Sequence, residues 1–189
     1  MYTPLFILKE VMNRILGLDV SSSTIGWAIL GYEEEHVTLE ASGHIKPPPS
    51  KSGSLTYRLN EAFEKVNELF EELQPDDVAI EAYANKFASG RSSANTIIVL
   101  SVFNELSALA CLRMLGYESH RYTVSSIRSK ISKHYNKKIV SKDDMFNFII
   151  ENFKDFSIIK NRNNAIRKEC YDETDAIAVA LSHIISEYL

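Results

Sequence analysis

Apolar and polar positions alternate along the first quarter of the chain and then change period. Residues 15–20 form an apolar run broken by one aspartate, 26–32 form a second run, and 36–45 a third with strand-like alternation. The serine-rich link at 21–24 is too short for a crossover, so the three segments read as an antiparallel meander. Residues 46–54, with Pro47, Pro48 and Pro49, read as a loop, because proline serves neither a sheet ladder nor a helix interior. Beyond it Leu55, Leu59, Phe63, Val66, Phe70 and Leu73 recur every three or four residues with acids between them. That spacing predicts an amphipathic helix ending at Pro75.

A short buried strand at 78–81 follows, then a helix over 92–115 closed by Gly116. This helix is apolar nearly all round, through Ile97, Ile98, Val99, Leu100, Phe103, Leu106, Leu109 and Leu112. Two readings fit it equally: a helix sandwiched between sheet and neighbouring helix, or the interface of a dimer. A fifth strand is read at 118–124, with Ser125 or Ser126 capping a basic helix that runs to about His134. Ser141, with Asp144 three residues on, reads as a capping box opening a helix to about Phe153. A polar, mobile loop is read at 155–168 and a last helix at 170–188. Meander, helix, strand, helix, strand and helices is an α/β order. It implies a mixed five-stranded sheet with helices on both faces and right-handed crossovers after the third strand.

Length changes little in this picture. The 189 residues, 45% of them apolar, suit one core. We read 1–13 as an N-terminal extension and 14–189 as a single domain. No unbroken apolar run approaches the roughly 20 residues that span a bilayer, and the opening segment lacks the basic start and cleavage site of a secretory signal. A cytoplasmic protein without membrane contact is expected. Cys111 and Cys170 have no cysteine or histidine neighbours at zinc-site spacing and read as buried free thiols in a reducing compartment.

Charge changes more. The net charge of −4 argues against a polyanionic partner only on average. Between 113 and 142 stand Arg113, Arg121, Arg128, Lys130, Lys133, Lys137, Lys138 and Lys142, against Glu118 alone. Between 60 and 77 stand seven acids against Lys65. One basic and one acidic face follow, and the basic one is a candidate nucleic-acid footprint.

The informative charges are those inside apolar elements, where an unpaired carboxylate is costly or shifts its pKa. Asp19 lies in the first strand and Glu81 ends the fourth; taken singly, either reads equally well as an acid at a strand end facing water. Asp172 and Asp175 are three apart at the start of the last helix and share a face near its positive dipole end. Alone they would read as a solvated first turn, and Glu173, elsewhere on the wheel, reads as solvated. Together, four acids from three elements repel one another unless cations hold them. Hard oxygen donors favour Mg2+, with Mn2+ able to substitute. Two such ions can activate water and clamp a phosphate, which points to phosphodiester hydrolysis.

The segments Gly17-Leu18-Asp19-Val20-Ser21-Ser22-Ser23-Thr24-Ile25-Gly26-Trp27-Ala28, Ala79-Ile80-Glu81 and Asp172-Glu173-Thr174-Asp175-Ala176-Ile177-Ala178 resemble, in order and separation, the motifs of RuvC-type Holliday-junction resolvases. The resemblance spans about 14–186. It implies an RNase H-like fold with strand order 3-2-1-4-5 and an antiparallel second strand. It further implies a homodimer, here through helix 92–115, that nicks a four-way DNA junction symmetrically with two ions per active site. Asp19, Glu81, Asp172 and Asp175 match the catalytic, metal-binding acids. Arg128 and Lys142 match basic residues near the scissile phosphate, and Lys130, Lys133, Lys137 and Lys138 extend the DNA-contacting set. Tyr83 or Phe87 matches an aromatic residue that opens the junction centre, where stacking on bases would serve. Val20-Ser21 departs from the proline or glycine usual after the first aspartate, which bears on cut-site preference. The alternatives are a YqgF-like nuclease acting on structured RNA, an actin-like ATP-binding fold, for which no second copy of the domain is visible, and a junction-binding domain that does not cut.

Overall fold

In the computed structural model, which describes residues 12–83 and 94–189, five strands form one sheet in the order β3-β2-β1-β4-β5. β1 (Asn13–Val20), β2 (Ile25–Glu33) and β3 (His36–Ile45) make the antiparallel meander, with Gly17 opposite Ala28 and Trp27 opposite Gly43. β4 (Asp77–Glu81) joins β1 in parallel, and β5 (His120–Tyr122) joins β4 in parallel. The fifth strand is three residues long rather than the seven of 118–124, and its cap-and-helix sequel begins earlier than expected. Thr123, not Ser125 or Ser126, accepts from the Ser126 amide and opens α3 (Val124–His134). A threonine hydroxyl caps as a serine does, and the sequence alone does not rank three adjacent hydroxyls.

The period of two divides the core. Ile15, Ala28, Leu30 and Ala79 face a layer made by α3, α4 (Lys142–Asn152) and α5 (Lys168–Glu187). Leu16, Leu18, Ile29, Val78 and Ile80 face α1 (Leu55–Leu73) and α2 (Ala94–Leu115). Helices therefore cover both faces. α1 starts at Ser54, whose hydroxyl accepts from the Tyr57 amide, and stops at Gln74 in a left-handed conformation just before Pro75. α4 has the expected capping box between Ser141 and Asp144. Gly116, at φ 82°, terminates α2. Both cysteines are buried and unpaired.

α2 is the one described helix that is long and apolar enough to cross a membrane by length and composition alone. Its packing points elsewhere. Phe103, Ala110 and Cys111 are fully buried in the α1-side core, while Ile98, Leu109 and Leu112 remain exposed. Those three share one face with Val102 and Glu105 at alternating spacings of four and three. The loop before α5 is more structured than a polar stretch suggests: Phe156 is buried, and Lys160 pairs with Ile166 across a turn at Asn161–Asn164.

Candidate active site

Asp19 and Glu81 lie two residues beyond Gly17 and Ala79, which are register partners in the parallel pair, so both carboxylates project from the face that carries α5. α5 can descend on that face because the residues beneath it are small. A Cβ on Gly26 would fall 2.2 Å from the Asp172 carbonyl oxygen, and one on Gly17 would fall 2.1 Å from that of Ala176. Glycine at both places lets the helix backbone rest on β1 and β2, which carries Asp172 and Asp175 to the same edge. The result is a cleft of about 240 Å³ lined by Asp19, Glu81 and Asp175, with Arg128 and Lys142 on its basic wall.

The electrostatics are those of crowded acids. Burial, then the charges of Glu81 and Asp175, hold Asp19 well above the ordinary carboxylate range. Burial and the charge of Asp175 push Glu81 up to about 7. Burial likewise raises Asp172 and Asp175. The local counter-charge is Lys142, whose ammonium lies 2.5 Å from Asp175 Oδ2 and 3.8 Å from Asp172 Oδ1. Burial alone would lower its pKa, but Asp175, Asp19 and Asp172 together raise it. Asp172 Oδ2 is buried and has no hydrogen-bond partner among the described residues. An orphaned buried oxygen beside carboxyls that resist ionisation marks negative charge that the protein leaves under-compensated. An all-oxygen donor set of this kind fits a hard divalent cation.

Two side chains that the sequence did not single out, and a third that it marked as solvated, hold this edge in place. Arg58, buried in the apolar stripe of α1, donates to the Ser22 and Pro48 carbonyls at 2.7 and 2.6 Å and so fixes the turn after Asp19. Its signal was a cation inside an apolar repeat. Asn104 donates to the Glu81 carbonyl at 2.7 Å and pins the end of β4. Glu173 is not solvated as expected: it is buried, accepts from Ser42 Oγ at 3.3 Å and pairs with His44 Nδ1 at 2.8 Å. Its partners lie on β3, about 130 positions away, where helical periodicity has no reach.

The remaining expected contacts spread over a wider surface. Arg128 donates to the Val140 carbonyl and lines the cleft. Lys130 sits over the Tyr122 ring and bonds Ser186, and with Lys133 it flanks a groove toward the end of α5. Lys137 pairs with Glu151 at 2.7 Å, and Lys138 is exposed. Tyr83 is half-buried just past Glu81, and Phe87 lies outside the described residues.

A carboxylate on the central strand of a 3-2-1-4-5 sheet, another at the end of its parallel neighbour, and a pair on the helix laid across them thus gather on one edge of an RNase H-like fold. Residues 15–183 match the family described as crossover junction endodeoxyribonuclease RuvC. Curated relatives of that name include one from Nitratiruptor sp., 27% identical over 90% of this chain and 94% of its own length. Another, from a Wolbachia of Brugia malayi, is 29% identical over 93% and 96%. Among solved structures, T. thermophilus RuvC in complex with Holliday junction substrate superposes with a TM-score of 0.67 at 15% identity, over 91% of this chain and 93% of that one. The yeast mitochondrial Holliday junction resolvase superposes with a TM-score of 0.64 at 16% identity, over 94% and 82%. The chain belongs to the RuvC family of crossover junction endodeoxyribonucleases.

Proposed function

We propose that this chain is a metal-dependent endonuclease that resolves four-way (Holliday) DNA junctions, with Asp19, Glu81, Asp172 and Asp175 as its catalytic acids. The observation that carries the reading is the meeting of Asp19, Glu81 and Asp175 with Lys142 and Arg128 in one cleft of a RuvC-family fold, with Asp172 beside it 3.8 Å from the Lys142 ammonium. The acids would hold two Mg2+ ions, or Mn2+ in their place. When bound, such ions supply the charge that activates water and stabilises the attacking and leaving oxygens of phosphodiester hydrolysis.

The chain's own groups do the rest. Asp172 Oδ2 and the high-pKa carboxyls of Asp19 and Glu81 supply ligand oxygens that are poorly satisfied otherwise. Arg128 and Lys142 give the scissile phosphate a cationic wall. Asn104 and Arg58 fix the two strand ends so that these oxygens keep their places. The surface through Lys130, Lys133, Lys137 and Lys138 tracks the DNA arms, and Tyr83 or Phe87 stacks near the crossover. The seam of exposed Ile98, Leu109 and Leu112 with half-buried Val102 on α2 pairs with its copy in a homodimer, giving two cuts related by a two-fold axis. The enzyme works in the cytoplasm, where its DNA substrate lies.

Cleavage of matched, end-labelled substrates tests the reading. A four-way DNA junction should be nicked in paired, symmetric positions to yield 5′-phosphate and 3′-hydroxyl ends, while linear duplex is left intact. Preferential cutting of structured RNA would move the chain to the RNA-processing branch of the fold.

A further inference from the structure

At the end of β4 opposite Glu81, three other side chains meet. Asp77 opens β4, His120 opens the parallel β5, and His183 comes eleven residues after Asp172 on α5. Eleven residues are about three helical turns, so His183 returns to the side of the helix that carries Asp172 toward the sheet. The ligand atoms of the three all lie within 4.8 Å of one another, and among the described residues this is the one such grouping of His, Cys, Asp or Glu. The four acids at the cleft do not make one; Asp172 and Asp175 pair with the Lys142 ammonium instead.

The details are those of a ligand set. Asp77 presents one oxygen to each histidine: Oδ2 lies 2.8 Å from His183 Nε2, and Oδ1 lies 3.4 Å from His120 Nε2. Metal bonds of about 2.0–2.1 Å in a tetrahedron put neighbouring donors roughly 3.3 Å apart. His183 is fully buried, and its second nitrogen, Nδ1, is bonded to the Tyr122 hydroxyl at 2.9 Å. Such an outer partner orients an imidazole and leaves Nε2 as the donor. Burial would raise Asp77, but the His183 hydrogen bond, the Val78 amide and both histidines keep its carboxyl below the usual range, hence ionised. A structural Asp–His–Tyr network needs one histidine. The His120 ring is stacked on that of His183 at 4.2 Å, is 39% exposed, and opens the remaining position to solvent.

We propose that Asp77, His120 and His183 form a second metal site, selective for a divalent transition ion of the zinc type and separate from the catalytic acids. Two imidazoles and one carboxylate are borderline donors that prefer Zn2+, Co2+ or Ni2+ over Mg2+. Asp77 is four residues from Glu81, about 13 Å along the strand. An ion here ties α5, which carries Asp172 and Asp175, to β4, which carries Glu81.

The test uses the full chain with Asp19→Asn and Asp175→Asn, so that the catalytic cleft does not contribute. Co2+ alone should bind with one equivalent and give the visible absorption of a tetrahedral ion, Zn2+ should displace it, and Zn2+ should raise Tm. Adding His120→Ala, at a partly exposed position, should weaken Zn2+ binding by at least about ten- to a hundredfold and abolish the Tm rise, with the circular dichroism spectrum unchanged. The isosteric Asp77→Asn should act in the same way. Absence of one-equivalent uptake, or uptake that survives both substitutions, would overturn the proposal.

Discussion

The carbonyl of Asp172 lies directly over Gly26, so close that a single added methyl group would meet it at 2.2 Å. The contact is backbone on one side and a missing side chain on the other, so no rotamer change can relieve an intruder. Gly26→Ala should shift the second turn of α5 and cost roughly 1–3 kcal/mol or more of stability. Cleavage should fall further than stability alone explains, because Asp172 rides on that turn. Urea denaturation alongside a cleavage assay measures both; unchanged cleavage in a folded variant would mean that the helix position is not critical.

Asp175→Asn and Glu81→Gln keep shape and remove charge. Each should reduce cleavage by about a hundredfold or more, the loss expected when several kcal/mol of transition-state stabilisation disappear. Junction affinity, measured by gel shift without divalent ions, should hold or rise slightly, since less negative charge faces the phosphates.

Lys142 bridges Asp172 and Asp175 and lowers the pKa of all four acids. Lys142→Ala should therefore raise those carboxyls and move the acid limb of the pH–rate profile upward by about one unit. Lys142→Arg should keep the limb in place. A lysine that only contacts DNA would change affinity and leave the limb where it was.

Which of these groups the sequence could reveal follows from how far each interaction reaches along the chain. Asp19 and Glu81 were legible because each is a charge inside a run of apolar residues, and Asp172 and Asp175 because their spacing puts them on one helical face. The sheet order came with the family resemblance, and its strands with the period of two. What stayed hidden was set by partners remote in sequence. Glu173 looked solvated because its own helix offers it nothing, while His44 and Ser42 wait on β3. Asp77 and His183, 106 positions apart, gave no local sign of each other. The basic residues from 113 to 142 read as one face, yet Lys142 and Arg128 turn into the cleft, Lys130 turns to the end of α5, and Lys137 pairs with Glu151. Charge counts along a sequence do not carry those directions.

Without divalent ions, Glu81 titrates at about 7 in the folded chain against an ordinary value of 4.5. The folded state thus binds more protons than the unfolded state between these values. Stability contributed by this group is present below 4.5 and falls as pH rises through 7, the reverse of a salt-bridged acid. At pH 8 in a chelator, Glu81→Gln should be more stable than the parent by roughly 1–3 kcal/mol, and near pH 4.5 the gain should vanish. Urea titrations at the two pH values provide the comparison.

The most direct measurement is the rate of nicking of a labelled four-way junction as Mg2+ is raised from zero, for the parent chain and for Asp19→Asn. The acids-and-cations account expects no cutting in a chelator, saturable cutting with Mg2+ or Mn2+ in the parent, and none in the variant although it still binds the junction. Cutting that persists in the chelator, or in Asp19→Asn at the parental rate, would contradict it.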